Sequence, residues 1–194
     1  MTAEKVLQFW FGAPPLRPNR KLWWGGKSQD AAIHENFSET VAAAVAGHLD
    51  SWRDEPRGAL ALVILLDQMT RNIYRGQPEA FSGDGRALEV TLHGLQQGYL
   101  EVYHPFETVF FLMPLEHDES MVSQDRCIAE LDQLLQRCGS EQADMVQGCL
   151  DYAHQHREII QRFGRYPHRN QVMGRASTPQ EQEYLAAGGR RFGQ

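Results

Sequence analysis

The sequence predicts an all-α fold, a single domain over residues 1–194 built from about seven to eight antiparallel helices. Three observations predict it. Apolar residues recur at the helical period through most long segments. The breaks between those segments are short and carry Gly, Pro or a capping residue, the pattern of neighbouring antiparallel helices. No Pro/Gly/Ser-rich linker interrupts residues 28–176, so the chain reads as one core. A hydrophobic content of 42% supplies that core and excludes a disordered chain.

Each element follows from local pattern. Residues 3–11 place Val6, Leu7, Trp10 and Phe11 on one side of a short helix. Residues 12–28 read as a Pro- and Gly-rich loop with Trp23 and Trp24 exposed. Residues 30–48 form a helix on Ile33, Phe37, Val41, Ala44 and Val45. Residues 56–72 are apolar all round over 59–66, which predicts the central, most buried helix. Ser82 or Asp84 caps the next helix, to about residue 100, whose Gly94 and Gly98 permit a neighbour to approach closely. PFETVFFLMPL, 105–115, has strand-like composition, but Pro105 suits a first helical turn and no partner strand is visible, so a helix is expected. Helices over 118–138 and 141–163 follow, separated by Gly139 and Ser140. Thr178 and Glu181 open a last short helix with a capping box. The tail 188–194 is expected to fray.

Bulk properties narrow the function. A formal charge of −6 disfavours a non-specific nucleic-acid or membrane-surface binder. The longest apolar run is far short of a bilayer span, and the N-terminus lacks the order of a signal peptide. Cys127, Cys138 and Cys149 are odd in number and lack metal-ligand spacing, which suits free thiols in a reducing compartment, the cytoplasm. No P-loop, dinucleotide fingerprint, nucleophile elbow or HExxH is present, so no cofactor and no metal is expected.

Three segments carry candidate chemistry. HREIIQRFGRYPHRN, 156–170, holds four arginines, two histidines and one acid, a local charge of +3 against the acidic background. Gly164 fits a left-handed helix end and Pro167 prevents a restart, so Arg165, His168, Arg169 and Asn170 project from a short stiff loop. His156 lies on the apolar stripe of the preceding helix, where a satisfied core histidine is the plainer reading. LLDQMTRNIYRG, 65–76, places Asp67 and Arg71 four apart on one helix face, with Asn72 and Arg75 at its end. These residues make either a structural ion pair or an arginine oriented toward a ligand. MPLEHDES, 113–120, places His117 before a helix start, as a proton-transfer group or part of a capping turn.

At these segments, together with AFSGDGRAL (80–88), the chain resembles a bacterial family, domain of unknown function family number 924. The resemblance runs over nearly the whole chain. It implies an all-helical, tetratricopeptide-repeat-like bundle of unassigned activity. The family pattern falls on Asp67, Arg71, Asn72, Arg75, His117, His156, Arg165, Pro167, His168, Arg169 and Asn170. Two positions depart from it: Thr70 stands where proline is usual and Asp118 where serine is usual.

Two functions are compatible with this pattern. In the first, a pocket binds a small phosphate- or carboxylate-bearing anion on the arginines, with His117, His156 or His168 transferring protons. In the second, a basic helical groove takes a protein or peptide partner, anchored by the tryptophans. RNA is disfavoured by the acidic charge, and no membrane role is indicated. The mixture of His, Asp and Asn with Arg favours the first, since a purely electrostatic groove needs no such mixture.

Overall fold

Helices α1 (Ala3–Phe11), α2 (Arg20–Trp24), α3 (Asp30–Val45), α4 (Pro56–Val63), α5 (Thr70–Ile73), α6 (Asp84–Gln96), α7 (Pro105–His117), α8 (Met121–Arg137), α9 (Ser140–Phe163) and α10 (Pro179–Ala186) make up the fold in a computed structural model describing residues 1–24 and 26–192. α4, a π-helical turn (Ile64–Met69) and α5 are continuous. Counting that rod as one, the described residues form nine helices, and no strand occurs among them. The helix beyond the expected number is α2, inside the segment read as loop.

The rod is the axis, as its all-round apolarity requires. Ala59 to Leu66 and Met69 are buried without exception, and the rod packs against α1, α3, α6 and α7. A tetratricopeptide-like stack is not established by these contacts, because such repeats touch chiefly their chain neighbours. Beside the rod, on α1, α2 and α7, Trp10, Phe11, Trp23, Phe106 and Phe110 meet edge to face at 5.0–5.9 Å. Trp23 is therefore buried rather than exposed, and its indole N–H donates to the Trp10 carbonyl at 2.9 Å. Trp24 is the exposed member of the pair.

The strand-like segment at 105–115 is helical, and its start explains why. Pro105 occupies the first turn, the Phe106 N–H donates to His104 Nδ1 at 3.2 Å, and the His104 N–H donates to Glu107 at 2.9 Å. The expected capping box at Thr178 and Glu181 also forms. The side-chain cap expected at α6 from Ser82 or Asp84 does not form, since Gly83 occupies the cap position, and Ser120 caps α8 without a side-chain bond. Gly94 allows the close approach read from sequence, since a Cβ there would lie 2.5 Å from the Phe111 ring. Gly98 instead takes the left-handed position that ends α6.

Residues 188–192, part of the tail expected to fray, lie against the body. The Arg190 N–H donates to the Tyr184 hydroxyl at 2.8 Å, and Phe192 stacks on His156. The remainder of that tail, residues 193–194, lies outside the described residues.

Candidate functional site

The end of the rod, the C-terminus of α7 and the loop after α9 converge on one polar cluster. The π-turn is the local cause on the first of these. A wide turn is uncommon, is often found at functional sites, and re-aims side chains relative to a regular α-helix. Here it carries Asp67, which is fully buried. Thr70, at the departure from the family pattern, closes the turn by donating its hydroxyl to the Leu66 carbonyl at 2.7 Å.

Asp67 holds two partners. One carboxylate oxygen lies 2.7 Å from His117 Nδ1 and 3.2 Å from Arg71 Nη1. Burial alone raises the Asp67 pKa, but Arg71 and then His117 outweigh it and hold the group ionised, well below the usual carboxylate range. Burial, opposed by Asp67 and assisted by the charges of Arg71 and Arg169, lowers the His117 pKa. His117 is therefore neutral near pH 7. Its Nδ1 hydrogen goes to Asp67, which leaves the Nε2 lone pair to accept a proton. The His117 side chain is 15% exposed, so solvent reaches it.

Two guanidinium groups stand beside this pair. Arg71 donates to the Asp67 carbonyl at 2.6 Å and to both Asp84 oxygens at 2.9 and 3.1 Å, although its Nε, like that of Arg169, is buried without a partner among the described residues. Arg169 is poorly used. It is buried between the rings of Tyr166 (4.4 Å) and Phe81 (5.0 Å), and among the described residues it donates one hydrogen bond, to the His117 carbonyl at 3.0 Å. The Asp84 carboxylate is 3.7 Å away, and among the described residues the buried Nε of Arg169 has no partner. Burial and then Arg71 depress the Arg169 pKa, although a guanidinium stays charged. The bond to His117 satisfies one open carbonyl at the end of α7, a helix terminus that favours a cation. Tyr166 and Gln124 take the neighbouring Glu116 carbonyl.

Behind His117 lies a buried pair. His156 Nδ1 is 3.1 Å from the Tyr152 carbonyl and 3.3 Å from Glu116 Oε1. Because a carbonyl only accepts, Nδ1 carries the hydrogen. Burial, then His117, push His156 down to about 2, and burial, then Asp67, push Glu116 up to about 8. Both are thus neutral near pH 7. Burial and then Arg169 also lower His168, to about 3, and its Nδ1 is buried without a partner.

Glu116 makes a pH-dependent contribution with a definite sign. A carboxyl whose pKa is raised by folding binds its proton more tightly in the native state. Stability is therefore full below the ordinary value of 4.5, falls as pH rises toward about 8, and levels above that. Glu116→Gln, uncharged at every pH, removes this loss. Urea midpoints should favour the variant progressively from pH 5 to pH 8.5; a constant gap would contradict a protonated Glu116.

The cluster unites six of the residues singled out from sequence: Asp67, Arg71, His117, His156, His168 and Arg169. Four others lie elsewhere as structural pins. Asn72 and Arg75 both donate to Asp30, at 2.9 and 2.7 Å, and so tie the rod to α3. Arg165 makes a two-pronged pair with Glu181 at 2.7 and 2.8 Å, and Asn170 donates to the same carboxylate at 3.2 Å, together fastening α10. Phe81, Tyr166 and Glu116 lie in or beside the quoted motifs without being singled out from sequence, and Asp84, read there as a helix cap, here holds Arg71. Among the described residues no group of three or more His, Cys, Asp or Glu side chains is arranged so that it could hold a metal ion.

The comparisons with known proteins bear on identity. The family described as "Bacterial protein of unknown function (DUF924)" matches residues 6–189. A solved structure titled "Structure of Protein of Unknown Function ATU0120 from Agrobacterium tumefaciens" is similar at 31% identity and a TM-score of 0.81, over 96% of this chain and 97% of that one. No curated protein matches. With a match over nearly its whole length, the chain belongs to the DUF924 family of bacterial proteins of unknown function.

Proposed function

We propose that the cluster binds a small phosphate- or carboxylate-bearing anion on Arg169 and Arg71, with His117 as the proton-transfer group. The observation that carries this reading is Arg169, a buried cation beside a second cation, with one hydrogen bond of ordinary length and an orphan Nε. Leaving a buried charged donor unsatisfied costs on the order of 1–3 kcal/mol or more, so each such group asks for an explanation. An incoming anion supplies the missing acceptors. His117, neutral and oriented by Asp67, then stands ready to take a proton from the ligand or from a water beside it. His156 and His168, both held neutral, line the same cluster.

The alternative, a basic groove for a peptide, draws less support. Arg71, Arg75 and Arg165 are each engaged by a carboxylate, and Trp23 is turned inward.

A thermal-shift screen against phosphates, carboxylates, nucleotides and divalent metals tests the reading. An anion should raise Tm in the wild type; Arg169→Ala should abolish the shift, and Arg165→Ala should keep it, since that guanidinium serves Glu181. A screen flat for every anion, or a hit that survives Arg169→Ala, contradicts the proposal.

A further inference from the structure

The last described residue of the chain fills a place of its own beside the cluster. The Phe192 ring stacks on His156 at 3.6 Å with an interplanar angle of 20°. Tyr152, Tyr166 and His168 surround it edge to face at 5.4, 6.1 and 5.7 Å. His156 thus covers one face of the ring and three more flat side chains meet it at steep angles, forming a slot next to Arg169, which lies on the Tyr166 ring. Tyr152 is 44% exposed, so the slot opens to solvent on that side.

We propose that this slot is the subsite for a planar ring of the ligand, so that the site takes an aromatic anion and Phe192 competes with it for the slot. The inference rests on the anion reading of Arg169. Two further observations point the same way. Phe192 is held on weak terms: its φ of 48° is left-handed, which a bulky side chain disfavours. Beyond Gly189, whose N–H donates to the Tyr184 carbonyl at 2.9 Å, the segment leading to it is held by a hydrogen bond from the Arg190 N–H to the Tyr184 hydroxyl and by a long, exposed ion pair, Arg190 to Glu158 at 3.7 Å. A recess of about 290 Å³, lined in part by Ile159, Arg162 and Tyr184, lies beside that segment, which is therefore not packed home. Second, the occupant is chemically incomplete. Among the described residues the buried Nδ1 of His168 has no partner, and the all-carbon Phe192 ring, 5.7 Å from the His168 ring, supplies none, whereas a heteroatom-bearing ring brings a polar atom to this place.

Three probes test the proposal by titration calorimetry on wild type and Phe192→Ala: phenyl phosphate, methyl phosphate and neutral indole. Emptying the slot should tighten phenyl phosphate and indole by about tenfold, the upper end of what one aromatic pair contributes, and leave methyl phosphate unchanged. Carbethoxylation of His156, followed on its peptide by mass spectrometry, should become faster in Phe192→Ala with no ligand present. If indole gains while neither phosphate binds, the slot stands and the anion reading fails. If neither ring-bearing probe binds Phe192→Ala more tightly than wild type, the slot proposal is overturned, whatever methyl phosphate does.

Discussion

Asp67→Ala should lower the unfolding free energy by about 3–5 kcal/mol, the largest single effect expected from the polar cluster. Asp67 is fully buried and accepts from both Arg71 and His117. Removing it leaves the Arg71 guanidinium with the Asp84 carboxylate and the backbone carbonyl of residue 67, and takes away the partner of the His117 N–H. It also opens a small cavity at the π-turn. The loss is lower at acid pH. Asp67 has a depressed pKa, so its contribution is present above the ordinary value of 3.8 and fades as pH falls below it toward the folded value. Guanidinium unfolding at pH 7 and at pH 2.5, inside that window, reads both effects. Asp67→Asn separates stability from chemistry, since it keeps the volume but lets the His117 ring flip or change tautomer. A cost below about 1 kcal/mol for Asp67→Ala would show that the carboxylate holds neither partner.

Gly83→Ala should cost about 3 kcal/mol, the upper end for overpacking, because the obstacle is backbone. A Cβ at Gly83 would lie 2.2 Å from the Leu66 carbonyl oxygen. That oxygen belongs to the π-turn and already accepts from Thr70. Neither can move without shifting α6, whose first residue, Asp84, holds Arg71. The substitution should therefore weaken anion binding as well as the fold. Gly85→Ala, two residues on, is the control: nothing lies within 4 Å of its Cβ, and alanine in a helix gains up to about 1 kcal/mol over glycine. Equal melting temperatures for the two variants would contradict the close contact between α6 and the rod.

What the sequence could and could not reveal divides along physical lines. Asp67 and Arg71 were legible as a pair because four residues on a helix fix their neighbourhood, and the pair forms at 3.2 Å. His156 was legible as buried because it lies on an apolar stripe, and Gly164 as a helix end, with φ of 69°. The central rod was legible because only a fully enclosed helix tolerates apolar residues all round. Pairings decided by packing were not legible. Arg165 and Asn170 sit in the same loop as Arg169, yet they turn to Glu181, more than ten residues away, while Arg169 turns to α7. Asn72 and Arg75 find Asp30 more than forty residues earlier. The six-residue loop 165–170 thus mixes structural pins with the candidate ligand-binding cation, and charge alone does not separate them. The π-turn and the stacking of Phe192 leave no periodic signature at all.

The most direct measurement is the stability of Arg169→Met, taken together with its response to the anion found by the screen. Met fills a similar volume without the charge. If Arg169 is kept for a ligand, the variant should unfold within about 1 kcal/mol of wild type or above it, because replacing a poorly paired buried charge by an apolar isostere is often neutral or stabilising, and it should no longer respond to the anion. A loss of about 3 kcal/mol or more, with the anion response intact, would make Arg169 a cap for α7 and contradict a binding site at this cluster.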